Sequence, residues 1–82
     1  MATETAAVRV FQLVRDIDVT GFSGVGVVAD GVIWPDGAVS MRWRGAVRTT
    51  VEAGCLTDIE LIHGHGGATR VVLVADLMEG VL

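Results

Sequence analysis

Hydrophobic and polar side chains alternate along much of the chain, and a period of two is typical of β-strands. The run Val8–Arg15 alternates and is rich in β-branched residues, which predicts a first strand. A helix is the alternative there, because Val10, Leu13 and Val14 also lie at helical spacing. The longer apolar run Val25–Trp34 predicts a second strand, whose two apolar faces favour a central or interface position.

Turns that contain glycine mark where the predicted strands bend or end. Asp30-Gly31 lies inside the second apolar run, so it predicts a bulge or a sharp bend rather than a full reversal. Pro35-Asp36-Gly37 predicts a hairpin, because proline presets φ for the turn and glycine supplies its positive-φ position. The returning arm, Ala38–Arg44, alternates strictly. One face of this arm carries Val39, Met41 and Trp43, and the other carries Ser40, Arg42 and Arg44.

The segment Cys55–His63 predicts the one helix of the fold. Its apolar residues recur at every third position, at Leu56, Ile59 and Ile62. We expect the N-cap near Thr57 or Asp58 and the end of the helix at Gly64. A strand is the alternative, because residues 59–63 also alternate.

A short strand at Val47–Glu52 and a final strand at Thr69–Ala75 complete the predicted order β-β-β-β-α-β. This order predicts a mainly β (α+β) fold: a small twisted antiparallel sheet or a partly open barrel of about five strands, with one short helix. With 82 residues, we expect a single domain over residues 1–82. We expect its ends, residues 1–7 and 76–82, to be loosely held or to dock on a partner.

Composition indicates association with other protein chains. Hydrophobic residues make up 51% of the sequence, which is more apolar surface than one short helix can cover on a sheet. We therefore expect a homo-oligomer in which the sheets of neighbouring subunits pack together. The formal net charge of −4 and the absence of tyrosine argue against nucleic acid as a partner.

Sequence features also indicate a compartment. No apolar run reaches the length of a membrane span, and no signal peptide precedes the first predicted strand, so we expect no membrane partner. The single cysteine, Cys55, excludes a disulfide within the chain and is consistent with a reducing environment. We therefore expect the protein in the cytoplasm.

Residues 63–67, His-Gly-His-Gly-Gly, form the most distinctive segment. Two histidines at this spacing can share a metal, but a structural site needs three or four ligands, so we expect no metal and no cofactor. The glycines favour a tight loop held by a histidine hydrogen bond to the backbone. The alternative is an anion site, because successive glycine N–H groups can bind phosphate or carboxylate. The candidate residues here are His63, His65, Gly66, Gly67, Thr69 and Arg70.

Arg42, Arg44 and Arg48 form a basic cluster, and alternation places the first two on one exposed face. A guanidinium group can bind phosphate or carboxylate through two parallel hydrogen bonds. The alternative is a solvated strand face whose arginines pair with nearby acidic side chains. No arrangement of serine, histidine or cysteine matches a catalytic triad, so we expect no enzymatic activity.

Four phrases of the sequence resemble small proteins of actinobacteria and their phages. These phrases are Leu13–Gly26, Val28–Val32, Asp36–Trp43 and Ile62–Thr69. The resemblance spans Phe11 to Val74 and implies no particular biochemical activity. It does favour a binding protein, since phages of this kind encode many small proteins that bind host factors. An origin in a GC-rich genome fits the composition, because all six basic residues are arginine.

These features lead to one main hypothesis and two alternatives. The main hypothesis is a non-enzymatic, oligomeric binding protein of phage or actinobacterial origin that engages a host protein. The first alternative is a binder of a nucleotide or another phosphorylated small molecule, held by the His-Gly loop and the arginines. The second is a structural or decorating protein of the virion.

Overall fold

A computed structural model describes residues 7–18 and 24–76, and it contains five strands and one α-helix. In chain order they are β1 (Arg9–Arg15), β2 (Gly26–Ile33), β3 (Val39–Trp43), β4 (Thr50–Ala53), α1 (Leu56–His63) and β5 (Thr69–Asp76). This confirms the predicted mainly β fold with one short helix. The predicted loose ends lie outside the described residues, apart from Ala7 and from Asp76, which ends β5.

The strands form one open antiparallel sheet in the order β4-β3-β2-β1-β5. The first four strands are joined in sequence, each beside the next, as expected for hairpin connections. β5 instead returns to pair with β1, so that Arg15 lies opposite Thr69. Of the two predicted architectures, the described residues therefore form the sheet and not the barrel.

The hydrophobic core lies on one face of this sheet, beneath α1. Its fully buried side chains are Phe11, Leu13, Ala29, Val39, Met41 and Ile59. Ile59 is the only buried residue of α1, and the half-buried Leu56 packs beside it against the core. The opposite face, called here the uncovered face, has no described helix or strand packed over it. It carries the half-buried residues Val10, Val14, Val27, Val32 and Val72, with Gln12 and Asp30 between them.

The predicted bulge at Asp30-Gly31 is wrong in its position. β2 runs without interruption through both residues, and Gly31 pairs with Phe11 on one side and Met41 on the other. The register shift occurs earlier, where Leu13 pairs with Ala29 but the next residue of β1 pairs with Val27. Gly31 serves a different purpose, because a Cβ atom at this position would overlap the ring of Phe11.

Two predicted element starts also differ from the structure. β4 begins at Thr50 rather than Val47, because residues 44–49 form the connecting loop and leave Val47 80% exposed. α1 begins at Leu56 with Cys55 as its N-cap, where the backbone N–H of Asp58 donates to the Cys55 carbonyl. The helix ends at Gly64 as predicted, and the Gly64 N–H donates to a carbonyl of the last turn. No described helix has the length and apolar character needed to cross a membrane.

Candidate functional site

The topology brings the predicted basic residues and the His-Gly loop to one end of the sheet. β1 and β3 end here, and β2, β4 and β5 begin here, because neighbouring strands are antiparallel. α1 follows β4 and therefore runs back toward the same end, where the ring of His63 meets that of Trp43. We call it the arginine end. Its arginines are Arg15, Arg42, Arg44, Arg48 and Arg70.

Arg44 is held by a two-point ion pair on the uncovered face. Its Nε and Nη2 donate to the two carboxylate oxygens of Asp30, at 2.7 and 2.9 Å. The hydrogen bond from Arg44 is the main reason that the pKa of Asp30 lies below its ordinary value, and a hydrogen bond from Gln12 acts in the same direction. Both charged side chains are about half exposed, so the pair fixes the geometry of Arg44 more than it stabilises the fold.

Arg42 and Arg48 flank this pair. Arg48 donates from Nε to the carbonyl of Gly45, which closes the loop after β3. Arg42 lies beside Asp30 in the sheet register but has no hydrogen bond or ion pair among the described residues. The two guanidinium groups border a depression of about 400 Å³, together with Trp43, Arg44, Asp30 and Gly45. The predicted cluster of three arginines is therefore assembled in space, and one carboxylate partly neutralises it.

Arg15 is a site residue that the sequence interpretation missed. Its side chain is buried, with 8% of its surface exposed, and its Nε donates to the hydroxyl of Thr69 at 3.4 Å. It lines a cavity of about 360 Å³, called here the Arg15 cavity, together with Val28, Trp43, Arg44 and Val47. The alternation of β1 could have identified it, because Arg15 lies on the same face of the strand as the core residues Phe11 and Leu13.

The His-Gly loop folds as a tight turn in which some backbone N–H groups are already hydrogen-bonded. The N–H groups of Gly67 and Thr69 both donate to the carbonyl of Gly64, each at 3.0 Å. Gly66 and Gly67 have positive φ values of 65° and 100°, which explains the requirement for glycine. His65 is part of this turn, and no group of three or more histidine, cysteine, aspartate or glutamate residues in the described chain could hold a metal.

His63 and Arg70, which lie on either side of the loop, belong to different faces of the sheet. His63 packs its ring edge-to-face against Trp43, with the ring centroids 4.9 Å apart. Arg70 pairs with Asp16, its Nε lying 2.7 Å from a carboxylate oxygen, and stands opposite Val14 in the register. Arg70 therefore belongs to the uncovered face, while Thr69 belongs to the buried face with Arg15. The predicted loop residues thus share one end of the sheet but do not surround one cavity.

Similarity to known proteins is found at the level of a protein family. Neither the curated proteins nor the solved structures contain a match to this chain. A protein-family model, described as Acb5 phage protein, matches residues 8–75. The matched segment runs from the residue before β1 to the penultimate residue of β5, so it includes every described strand and helix apart from Asp76. The chain belongs to the Acb5 phage protein family.

Proposed function

We propose that this phage protein is a non-enzymatic binding protein that engages a host protein through the arginine end of its sheet. The observation that carries the proposal is the juxtaposition of Arg42, Arg44 and Arg48 with the exposed side chain of Val47. Together with Trp43, these residues are the arginine surface. Arginine and tryptophan are enriched where proteins bind one another, and an apolar side chain beside them adds contact area.

The shape of the arginine surface supports a protein partner. It follows the loop after β3, and Val47 projects from this loop with 80% of its side chain exposed. The ion pair with Asp30 fixes the Arg44 guanidinium, so less side-chain freedom is lost on binding. A partner with a carboxylate opposite Arg42 and an apolar pocket opposite Val47 would match this surface. We place this interaction in the host cytoplasm, consistent with a protein of phage origin.

We also propose that the protein is a homo-oligomer, and the uncovered face supports this. Five valines from three adjacent strands lie on that face, around the polar pair Gln12 and Asp30, and no described element covers them. A sheet with one apolar face exposed is stabilised when another sheet packs on it. A second copy of the chain offers the same five valines, so the interface would be symmetric.

Affinity capture with two matched variants tests the host-protein proposal. Val47→Asp and Leu61→Asp place the same charge at side chains that are 80% and 78% exposed, the first on the arginine surface and the second on α1. We expect wild type and Leu61→Asp to capture the same host protein, and Val47→Asp to capture at least ~10-fold less, as for a central interface residue. Equal capture by all three proteins would contradict the proposed surface.

A second experiment tests the alternative that the protein is a component of the virion. Quantitative mass spectrometry of purified particles would count copies of the protein in each virion. A high, fixed copy number, together with no host protein captured in stoichiometric amount, would favour a structural role and overturn the proposal.

A further inference from the structure

The environment of Arg15 differs from that of the arginines on the surface. Arg15 is 8% exposed, and no carboxylate among the described residues pairs with it. Its hydrogen bond to the Thr69 hydroxyl is long, at 3.4 Å, and uses Nε alone. No buried side-chain nitrogen among the described residues lacks a hydrogen-bond partner, so the terminal nitrogens of Arg15, which make no hydrogen bond, are accessible from the cavity that Arg15 lines. The fold therefore holds a positive charge in place without supplying its partner.

The Arg15 cavity gives that partner a place to bind. Its volume of about 360 Å³ is within the range of small-molecule sites. Val28 and Trp43 form apolar walls, and Arg44 supplies a second guanidinium at the rim. Arg44 is already neutralised by Asp30, so the charge that is left to be balanced is that of Arg15.

We propose that the Arg15 cavity binds an oxyanion, a phosphate or carboxylate group carried by a small molecule. Arg15 supplies the counter-charge through the two terminal nitrogens of its guanidinium, which match the spacing of two oxyanion oxygens. The Trp43 ring packs against the apolar part of the molecule, since it forms a wall of the same cavity. The cavity shares Trp43, Arg44 and Val47 with the arginine surface, so the two proposals are distinguished at Arg15, which is buried and is not part of that surface.

A titration of the full chain with inorganic phosphate, followed by nuclear magnetic resonance, tests the site. The chain has two tryptophans, and Trp34 donates its indole N–H to Ser40 on the uncovered face. At constant ionic strength, we expect saturable shifts of the Trp43 indole and of Arg15 Nε–H, with the Trp34 indole unchanged. A parallel titration with acetate shows whether the site prefers phosphate or carboxylate.

Variants at the same end of the sheet distinguish specific phosphate binding from general electrostatic attraction of the anion. Arg15→Gln should weaken phosphate binding at least ~10-fold, because it removes the charge that makes both hydrogen bonds. Arg70→Gln, which removes an exposed arginine, should change the affinity less than ~2-fold. An absent or unsaturable shift in wild type, or equal losses in the two variants, would mean an adventitious ion only and would overturn the proposal.

A second pair of variants keeps the test valid if Arg15→Gln does not fold. Val47→Glu places a carboxylate at the rim of the Arg15 cavity on an exposed side chain, whereas Leu61→Glu places it on the outer surface of α1. We expect the first to weaken phosphate binding at least ~10-fold and the second to leave it unchanged, since only the first competes for Arg15. Unchanged binding in Val47→Glu would overturn the proposal.

Discussion

The ring of Phe11 occupies the space above Gly31, its cross-strand partner, where any other residue would place a Cβ atom. Both residues are buried on the core face of the sheet, in the neighbouring strands β1 and β2. The backbone carbonyl of Ser40 closes the same space from the neighbouring strand. Gly31 is therefore a packing requirement, and the size of the residue at position 11 depends on it.

Gly31→Ala should destabilise the fold by about 2 kcal/mol or more, because the added methyl group forces the Phe11 ring from its position. The free energy of unfolding in urea, measured by circular dichroism, gives the effect. Phe11→Leu in the same chain should recover part of the loss that Gly31→Ala causes, since a smaller side chain leaves room for the methyl group. Purely additive losses in the double variant would contradict the steric relationship.

Ile59→Ala should cost about 3 kcal/mol, because Ile59 is the buried contact of α1 with the sheet and its truncation leaves a cavity. Ile62→Ala is the matched control, since Ile62 is 68% exposed and its truncation should change stability by less than about 0.5 kcal/mol. Thermal unfolding of the two variants compares them directly. Similar losses of stability in the two variants would contradict the assignment of Ile59 as the buried contact of α1.

Asp30→Asn should lower stability by at most about 1 kcal/mol near neutral pH, because the ion pair with Arg44 is half exposed. The pKa of Asp30 is lowered in the folded state, so its contribution is present above the ordinary value of 3.8 and is lost as pH falls through the lower, folded value. Urea unfolding at about pH 7 and at about pH 2 should therefore show the difference between wild type and Asp30→Asn shrinking in acid. A difference independent of pH would contradict this role.

Val72→Lys should dissociate the proposed oligomer, because it places a charge beside the valines of the uncovered face. Native mass spectrometry of the untagged chain measures the subunit number at several concentrations. Val25→Lys is the control, since Val25 is 66% exposed in the connection before β2. A monomeric wild type, or an oligomer that survives Val72→Lys, would contradict an interface on this face.

Much of the fold could be predicted because alternation is a local property of each strand. The face of β3 that carries Val39, Met41 and Trp43 is an example, since its parity alone separates core from surface. Asp30-Gly31 shows where local reasoning fails. This dipeptide favours a turn or a bulge, but the reason for glycine is the ring of Phe11, twenty residues earlier in the chain. Such a contact exists only after the strands have paired.

Most residues of the candidate site could be predicted from the sequence, but their arrangement in space could not. Arg42, Arg44 and Arg48 are close in sequence, so their clustering followed from local spacing. Arg15 was missed because its role depends on Thr69 and on the cavity beside Trp43, both distant in sequence. The only sequence signal for Arg15 is the alternation of β1, which puts this charged residue on the same strand face as the core residues.

The strand order has a consequence for the protein while it is being made. β1 is the first described strand to leave the ribosome, yet one of its two neighbours in the finished sheet is β5, the last described strand. Until β5 arrives, the chain is a four-stranded meander with one long edge of backbone N–H and C=O groups unsatisfied. The sheet is therefore completed only after β5 has been synthesised, and a chain that stalls before β5 would expose the free edge of β1 to other nascent chains.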